Sequence, residues 1–285
     1  MLGLAYRVGV KLTTSLPPRA RYGVAGAATA MFYEVFPGRR RASRHNYAAV
    51  LQRPEDDPLV ARTVRAASAN YGRMLADLFV IADLTPEQIK ERVSVDGKEH
   101  LDAALAQGRG AILVLPHMGS WDVCGALGAI WGYSIVAVAE RLPGSLNDEV
   151  VASRSRHGLR LVPMGRSAVR DLAQALEANQ LVALVCDLPH GPGVEVSFFG
   201  HQATVPGGPA ALSVRYRSPL LPVYCRAEGD GRYHVHIDPP IQPPERGSAR
   251  SHDLSTELMQ RVVRRFEDFI RAYPEHWYAF RPILR

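Results

Sequence analysis

The chain is poor in lysine and in cysteine. Its only lysines are Lys11, Lys90 and Lys98, so nearly all its basic residues are arginines. The three cysteines have no CxxC spacing, which argues against a zinc site or a disulfide framework and favours small buried residues. No cleavable signal peptide and no uncharged apolar run of about 18 residues is found, so a membrane-spanning helix is not expected. The G-x-S-x-G nucleophile elbow of many serine hydrolases is also missing.

Charge narrows the possible partners. The 285 residues include 34 basic and 28 acidic side chains, a net charge of +6, and the length fits one or two domains. Arginine-rich surfaces suit phosphate groups, whether of lipid head groups, coenzyme A or nucleic acid. The arginines are not interleaved with aromatic residues, and no helix-turn-helix, RNA-binding or zinc-finger pattern is present. Nucleic acid is therefore not expected as a partner.

The amino-terminal region combines apolar and basic residues. An apolar helix is predicted from Val24 to Phe36, and the cluster Arg39–Arg41 follows at once. Such a helix either lies on an anionic membrane surface or packs in the core with a solvated basic end. We interpret residues 1–45 as a helical membrane-associating segment and residues 46–285 as a single α/β domain.

The stretch 111–129 organises the remaining sequence. Its apolar run 111–115 predicts a strand buried on both faces, which Pro116 ends. His117 then lies at the carboxyl end of a strand, where open α/β sheets bind ligands. Asp122 follows at the start of a helix, at a spacing that lets a carboxylate reach back to the imidazole. The backbone N–H groups of Gly119 and Ser120 are candidate oxyanion donors. The alternative is a structural histidine without a catalytic role.

Strands then alternate with helices, which predicts a mostly parallel sheet flanked by helices. Arg141 follows the strand 134–139, and Arg154 lies on the helix 145–156, where a lone arginine is usually a surface charge. Asp187 follows the strand 181–186 and reads by itself as a strand-end cap. Two late strands, 220–226 and 233–237, are expected to pair around a glycine-rich turn.

After residue 192 the side chains alternate between two sides with a period of two residues. This pattern predicts a hairpin over the edge of the sheet that carries His117. Glu195 in this hairpin either faces solvent or points at that histidine. His234 and His236 face the same side of one strand and could bind a metal ion, but the sequence offers no evident third ligand. No metal site is therefore predicted.

Several landmarks in one order resemble a known family. They are HMGSWD at 117–122, AER at 139–141, Arg154, CD at 186–187, GVEVSFFG at 193–200 and Pro-Glu-His-Trp near the end. The chain resembles the bacterial lipid A biosynthesis lauroyl/myristoyl acyltransferases, and within them the actinobacterial phosphatidylinositol mannoside branch. The resemblance implies a glycerolipid-acyltransferase fold, an acyl thioester donor and a membrane glycolipid acceptor.

The resemblance also implies roles for five residues. His117 and Asp122 match the HX4D motif, and Glu195 matches the acid that pairs with the histidine in the mannoside branch. Arg154 falls where the family has an arginine near the head group or phosphate, and Arg141 follows the second strand as it does there. Two departures are evident: the lipid A branch usually has glutamate at the position of Asp122, and the tail HWYAFRPIL differs from both branches.

The expected activity is transfer of a long acyl chain from acyl-CoA, or from acyl carrier protein, to a sugar hydroxyl. By resemblance this is the mannose 6-position of a phosphatidylinositol mannoside, with His117 as general base. Acyl-CoA is then a co-substrate, and no resident cofactor is expected. The protein would lie peripherally at the cytoplasmic face of the inner membrane.

Other functions fit the same residues. The acceptor could be another glycolipid or a lysophospholipid. A thioesterase would use the same histidine and acid on water and release free acyl chains. A lipid-binding module without activity would not depend on His117.

Overall fold

The computed structural model describes residues 15–142, 145–191, 193–245 and 251–285. Ten helices are defined within these ranges: α1 Pro18–Val35, α2 Pro37–Leu51, α3 Pro58–Val80, α4 Pro86–Arg92, α5 Lys98–Leu105, α6 Trp121–Ile130, α7 Ser145–Ser155, α8 Arg166–Glu177, α9 Gly208–Tyr216 and α10 Ser251–Ala272. Nine strands accompany them: β1 Val93–Asp96, β2 Ala111–Leu115, β3 Ile135–Ala139, β4 Arg160–Pro163, β5 Leu181–Val185, β6 Gly193–Phe198, β7 His201–Pro206, β8 Leu220–Gly229 and β9 Arg232–Ile237. Short 3₁₀ turns follow α3 and α10.

Seven strands form one sheet in the order β1-β9-β8-β2-β5-β3-β4. Every neighbouring pair is parallel except β8 and β9, which are antiparallel. The predicted α/β class and mostly parallel sheet are confirmed, as is the pairing of the two late strands. All five residues of β2 are buried, which agrees with its central position and with helices on both faces. The carboxyl ends of β2 and β5 meet at the same edge, because the two strands are parallel neighbours.

The predicted domain boundary falls inside a helix. Helix α2 continues through residues 45 and 46, and its buried Asn46 and Tyr47 belong to the body of the protein. Helix α1 packs along α3, and the Thr29 hydroxyl donates to the Ser68 carbonyl at 2.6 Å. Residues 1–14 of the predicted segment lie outside the described residues. Within the described part, no helix is both long and apolar enough to cross a membrane.

The carboxyl-terminal tail is fixed against α2. The Asn46 amide donates to the carbonyls of Ala279 and Arg281 at 3.1 and 2.7 Å, and the Tyr47 hydroxyl donates to the Trp277 carbonyl. The predicted hairpin forms from β6 and β7 and packs on α10. Its Phe198 ring lies 5.7 Å from the Trp277 ring. The tail is thus held between α2 and the hairpin.

Candidate active site

The turn after β2 places His117 at the carboxyl edge of the sheet. Gly119 in this turn has φ +63°, a left-handed conformation that a side chain disfavours. A Cβ atom at Gly119 would also lie 2.5 Å from the Cys225 carbonyl oxygen of β8. Because Gly119 has no Cβ, the turn can pack closely against β8 before α6 begins.

His117 is hydrogen-bonded to a buried acid on the neighbouring strand. Its Nδ1 lies 2.6 Å from Oδ1 of Asp187. Asp187 is the second residue after β5, and its side chain is completely buried. The second carboxylate oxygen of Asp187 accepts a hydrogen bond of 2.7 Å from the indole Nε1 of Trp277. Both oxygens of the carboxylate are thus satisfied, and this arrangement fixes the imidazole ring. Within the described residues Nε2 of His117 has no hydrogen-bond partner, and the side chain is 30% exposed.

The tail also holds the backbone of this turn. The Tyr278 N–H donates to the His117 carbonyl at 2.8 Å, and the Gly119 N–H donates to the His276 carbonyl at 3.3 Å. The Gly119 N–H, expected as an oxyanion donor, is therefore already used inside the protein. The buried Ser120 hydroxyl has no hydrogen-bond partner among the described residues.

Asp122 forms a different ion pair. Its carboxylate lies 2.7 Å from Nε of Arg154 and accepts from Nη2 of the same arginine at 3.2 Å. The pair joins the first turn of α6 to α7. Burial raises the pKa of Asp122, and the Arg154 guanidinium opposes that rise. Asp122, the acid of the HX4D motif, therefore pairs with Arg154. It does not contact His117, the partner that its spacing predicted.

An apolar cleft that opens to solvent lies between α6 and the sheet. Trp121, Asp122 and Arg154 line it together with apolar residues of both elements, among them Leu113 and Leu115 of β2. Two glycines of α6, Gly125 and Gly128, also line it. The ring of Trp121 lies edge-on to the His117 ring at 5.6 Å, so the cleft comes close to the histidine.

Comparison with known proteins decides the family. The family model described as bacterial lipid A biosynthesis acyltransferase matches residues 2–285. The chain belongs to this acyltransferase family. It is 32% identical over 286 residues to the phosphatidylinositol mannoside acyltransferase of Mycolicibacterium smegmatis, covering 98% of this chain and 90% of the relative. The enzyme of the same name from Mycobacterium tuberculosis is also 32% identical, and the match covers 98% of this chain and 87% of the relative.

A more distant relative supports the same family. The lipid A biosynthesis acyltransferase of Haemophilus influenzae is 24% identical over 211 residues, which cover 72% of this chain and 63% of the relative. This acyltransferase family therefore spans both branches that the sequence landmarks resemble, and the resemblance is confirmed. The mannoside enzymes match with higher identity and over more of the chain.

Glu195 of this acyltransferase does not contact the histidine. It lies on β6 with its side chain 62% exposed. Its Oε1 accepts from the Thr204 hydroxyl at 2.6 Å and from Nη2 of Arg285 at 3.0 Å, and these contacts lower the pKa of the carboxyl. The expected pairing of Glu195 with His117 is corrected: Asp187 occupies that position.

Arg141 and the pair His234 and His236 are the other residues that the sequence singled out. Arg141 is exposed at the carboxyl end of β3. Asp96 of β1 supplies the third potential ligand that the sequence did not reveal beside His234 and His236, since candidate ligand atoms of the three lie within 4.8 Å. Both histidines already have partners: Ser94 and Asp96 contact His234, and Asp238 contacts His236.

Sequence reasoning missed two members of the acyltransferase site, Asp187 and Trp277. A signal for Asp187 was available, because His117 and Asp187 each follow a continuous apolar strand by two residues, and neighbouring parallel strands bring such residues together. No comparable local signal existed for Trp277. Its contact with Asp187 joins residues 90 positions apart through the packing of the tail.

Proposed function

We propose that this acyltransferase moves a long acyl chain from acyl-CoA to a sugar hydroxyl of an anionic membrane glycolipid, with His117 as general base. Acyl carrier protein is the other candidate donor. The acceptor we propose is a phosphatidylinositol mannoside, in line with the names of the two mycobacterial relatives. The hydroxyl we propose is that of the mannose 6-position. The observation that carries the proposal is the chain of hydrogen bonds from Trp277 through Asp187 to His117, close to an apolar cleft.

The site can perform direct acyl transfer. The sugar hydroxyl oxygen attacks the thioester carbonyl carbon while Nε2 of His117 takes the hydroxyl proton. The tetrahedral intermediate then collapses: the C–S bond breaks, and the leaving thiolate takes the proton from the imidazolium. Asp187 holds the ring through Nδ1 and balances its positive charge. A thioester is already activated, so neither a covalent enzyme intermediate nor a resident cofactor is needed.

The apolar cleft suits an acyl chain. Its lining is mostly aliphatic and aromatic, with the charged pair Asp122 and Arg154 among the lining residues. In this arrangement the chain lies under α6 and the thioester carbonyl is held close to His117. A Cβ at Gly125 would contact Leu159, another lining residue, at 3.5 Å, so a large side chain there would fill the space.

The exposed face of α1 suits a membrane surface. Met31, Val35 and Phe36 are exposed there, and the arginines at the start of α2 come directly after them. Such a combination binds anionic bilayers through apolar insertion and attraction to head groups. We therefore place the enzyme peripherally at the cytoplasmic face of the inner membrane, where acyl thioesters are available.

The test is transfer of radiolabelled palmitate from palmitoyl-CoA to extracted phosphatidylinositol mannosides. Wild-type protein is compared with His117→Ala, Asp187→Asn and the matched control Glu195→Gln. We expect labelled glycolipid with wild type and Glu195→Gln, and nearly none with the other two. Palmitoyl-acyl carrier protein in a parallel reaction decides the donor.

Other outcomes have clear meanings. Free palmitate without labelled glycolipid, still dependent on His117, would replace the proposal with a thioesterase. Product from a lysophospholipid or another glycolipid alone would overturn the acceptor class. Full transfer by His117→Ala would overturn the mechanism.

A further inference from the structure

A strip of aromatic rings leads from His117 to the protein surface. The Trp121 ring lies 5.6 Å from His117, and the Tyr278 ring lies 6.1 Å from Trp121. Tyr71 follows at 5.2 Å from Tyr278, and Phe280 lies 5.6 Å from Tyr71. The mechanism proposed above uses none of the last three rings.

The strip is fixed in place but not fully covered. Its members come from the start of α6, the middle of α3 and the tail, and the tail is anchored by the bond from the Tyr278 N–H to the His117 carbonyl. Tyr278 is buried, whereas Trp121, Tyr71 and Phe280 are only half-buried. The three half-buried rings can therefore contact a ligand over a rigid floor, as aromatic residues in binding sites do.

Two uncompensated arginines flank the outer part of the strip. Arg281 directly follows Phe280 in the tail, and Arg39 lies in the first turn of α2 with its guanidinium over the Phe32 ring. Burial raises the pKa of the Tyr71 phenol, and the charges of Arg39, Arg281 and Arg154 oppose that rise. Arg154 is neutralised by Asp122. Arg39 and Arg281 are exposed, and neither has a carboxylate partner among the residues the structure describes. Such a pair suits a phosphate group.

The arginines also connect the strip to the proposed membrane face. The Arg39 guanidinium lies over the Phe32 ring at 5.5 Å, and Phe32 is exposed on α1 beside Met31 and Phe36. If this face meets the acyl region of a bilayer, Arg39 lies at the depth of the lipid phosphates. A head group could then extend from there along the aromatic strip toward His117.

We infer that Arg39 and Arg281 bind the phosphate of an anionic glycolipid acceptor, while Tyr71 and Phe280 stack on its sugar rings and direct a hydroxyl toward His117. The inference rests on the proposed function and adds the residues that select the acceptor. The apolar C–H faces of pyranose rings match the flat aromatic surface, and guanidinium groups match the phosphate. Arg154 and Asp122 remain a structural pair beside this subsite.

The test uses soluble acceptors, so that membrane binding does not contribute. One is a glycerophosphoinositol mannoside, which keeps the phosphate but has no fatty acids, and the other is the same inositol mannoside without phosphate. We measure KM for each acceptor with palmitoyl-CoA as donor. The Arg39→Gln/Arg281→Gln variant should raise KM for the phosphate-bearing acceptor about tenfold or more and leave KM for the neutral one unchanged.

Two further variants complete the design. Phe280→Ala should raise KM for both acceptors, because stacking does not depend on the phosphate. The control Arg62→Gln/Arg170→Gln removes two exposed arginines elsewhere and should leave both KM values unchanged. An equal KM for the phosphate-bearing acceptor in wild type and Arg39→Gln/Arg281→Gln would overturn the inference. Absence of transfer to either acceptor or to intact glycolipid by wild type would instead overturn the proposed function.

Discussion

Asp187 and Glu195 are acids close together in sequence with opposite surroundings. Asp187 is completely buried at the sheet edge, and both its oxygens are held by ring N–H groups. Glu195 is largely exposed on the hairpin, where Thr204 and Arg285 hold it. A buried carboxylate acts on its partner through a medium of low dielectric, whereas solvent screens an exposed one. The acid best suited to orient a catalytic histidine is therefore set by burial, not by its place in a motif.

The largest expected effect is loss of the base. His117→Ala should lower acyl transfer about 10²–10⁴-fold, because the variant lacks the imidazole that takes the hydroxyl proton. Transfer of labelled palmitate to glycolipid measures the loss, and circular dichroism verifies that the variant is folded. Residual transfer above about one tenth of wild type would contradict the role of general base.

The direct test of the comparison replaces each acid by its amide. Asp187→Asn should lower kcat about 100-fold or more, since the amide neither balances an imidazolium nor fixes the same tautomer. Glu195→Gln should stay within about twofold of wild type, because its contacts are exposed. Equal losses of kcat in the two variants would show that the buried and the exposed acid do not differ in their importance for catalysis. A larger loss of kcat in Glu195→Gln than in Asp187→Asn would support the pairing of Glu195 with His117 that the sequence led us to expect.

A smaller effect is expected when the support of Asp187 is removed. Trp277→Phe keeps an aromatic ring in the packing with Tyr47 and Phe198 but deletes the indole N–H. We expect kcat to fall about tenfold, in line with loss of one hydrogen bond to a charged group, while KM for palmitoyl-CoA is unchanged. A purely structural role would show as a lower melting temperature with unchanged kcat in the folded fraction.

The last prediction concerns stability and leaves acyl transfer unchanged. Asp77 is buried between the hydroxyls of Tyr22 and Tyr233. Burial raises its pKa to about 6, against the hydrogen bonds of the tyrosines and the charges of Arg92 and Arg21. The folded protein therefore binds this proton more tightly than the unfolded chain. The stabilising contribution is fully present below about pH 4 and is lost as pH rises through about 6.

Asp77→Asn isolates this contribution. The free energy of unfolding of wild type minus that of the variant should fall by about 2 kcal/mol between pH 4 and pH 7. Urea unfolding at a series of pH values measures it. A difference that stays constant over this range would show that burial does not raise the pKa of Asp77, and a difference that rises with pH would show that folding lowers it.

Much of the fold could be predicted from local patterns. The apolar runs of β2 and β5, the alternation of strands and helices and the period-two hairpin each depend on residues adjacent in sequence. The position of His117 at the end of a buried strand followed from the same patterns. The continuity of α2 across the predicted boundary at residue 46 could not be found in this way, because only the contacts of this helix with the tail show that it belongs to the core.

By itself, the sequence determined the α/β sheet, the family and the histidine at the sheet edge, because periodicity and motifs are properties of the chain alone. Only the tertiary structure decided which acid meets that histidine. Spacing brought Asp122 within reach, and resemblance favoured Glu195, yet Arg154 holds the first and Arg285 the second. Asp187 reaches His117 because β5 pairs with β2, and Trp277 reaches Asp187 because the tail packs across that edge. Such contacts join distant segments, and they form only when the whole core is assembled.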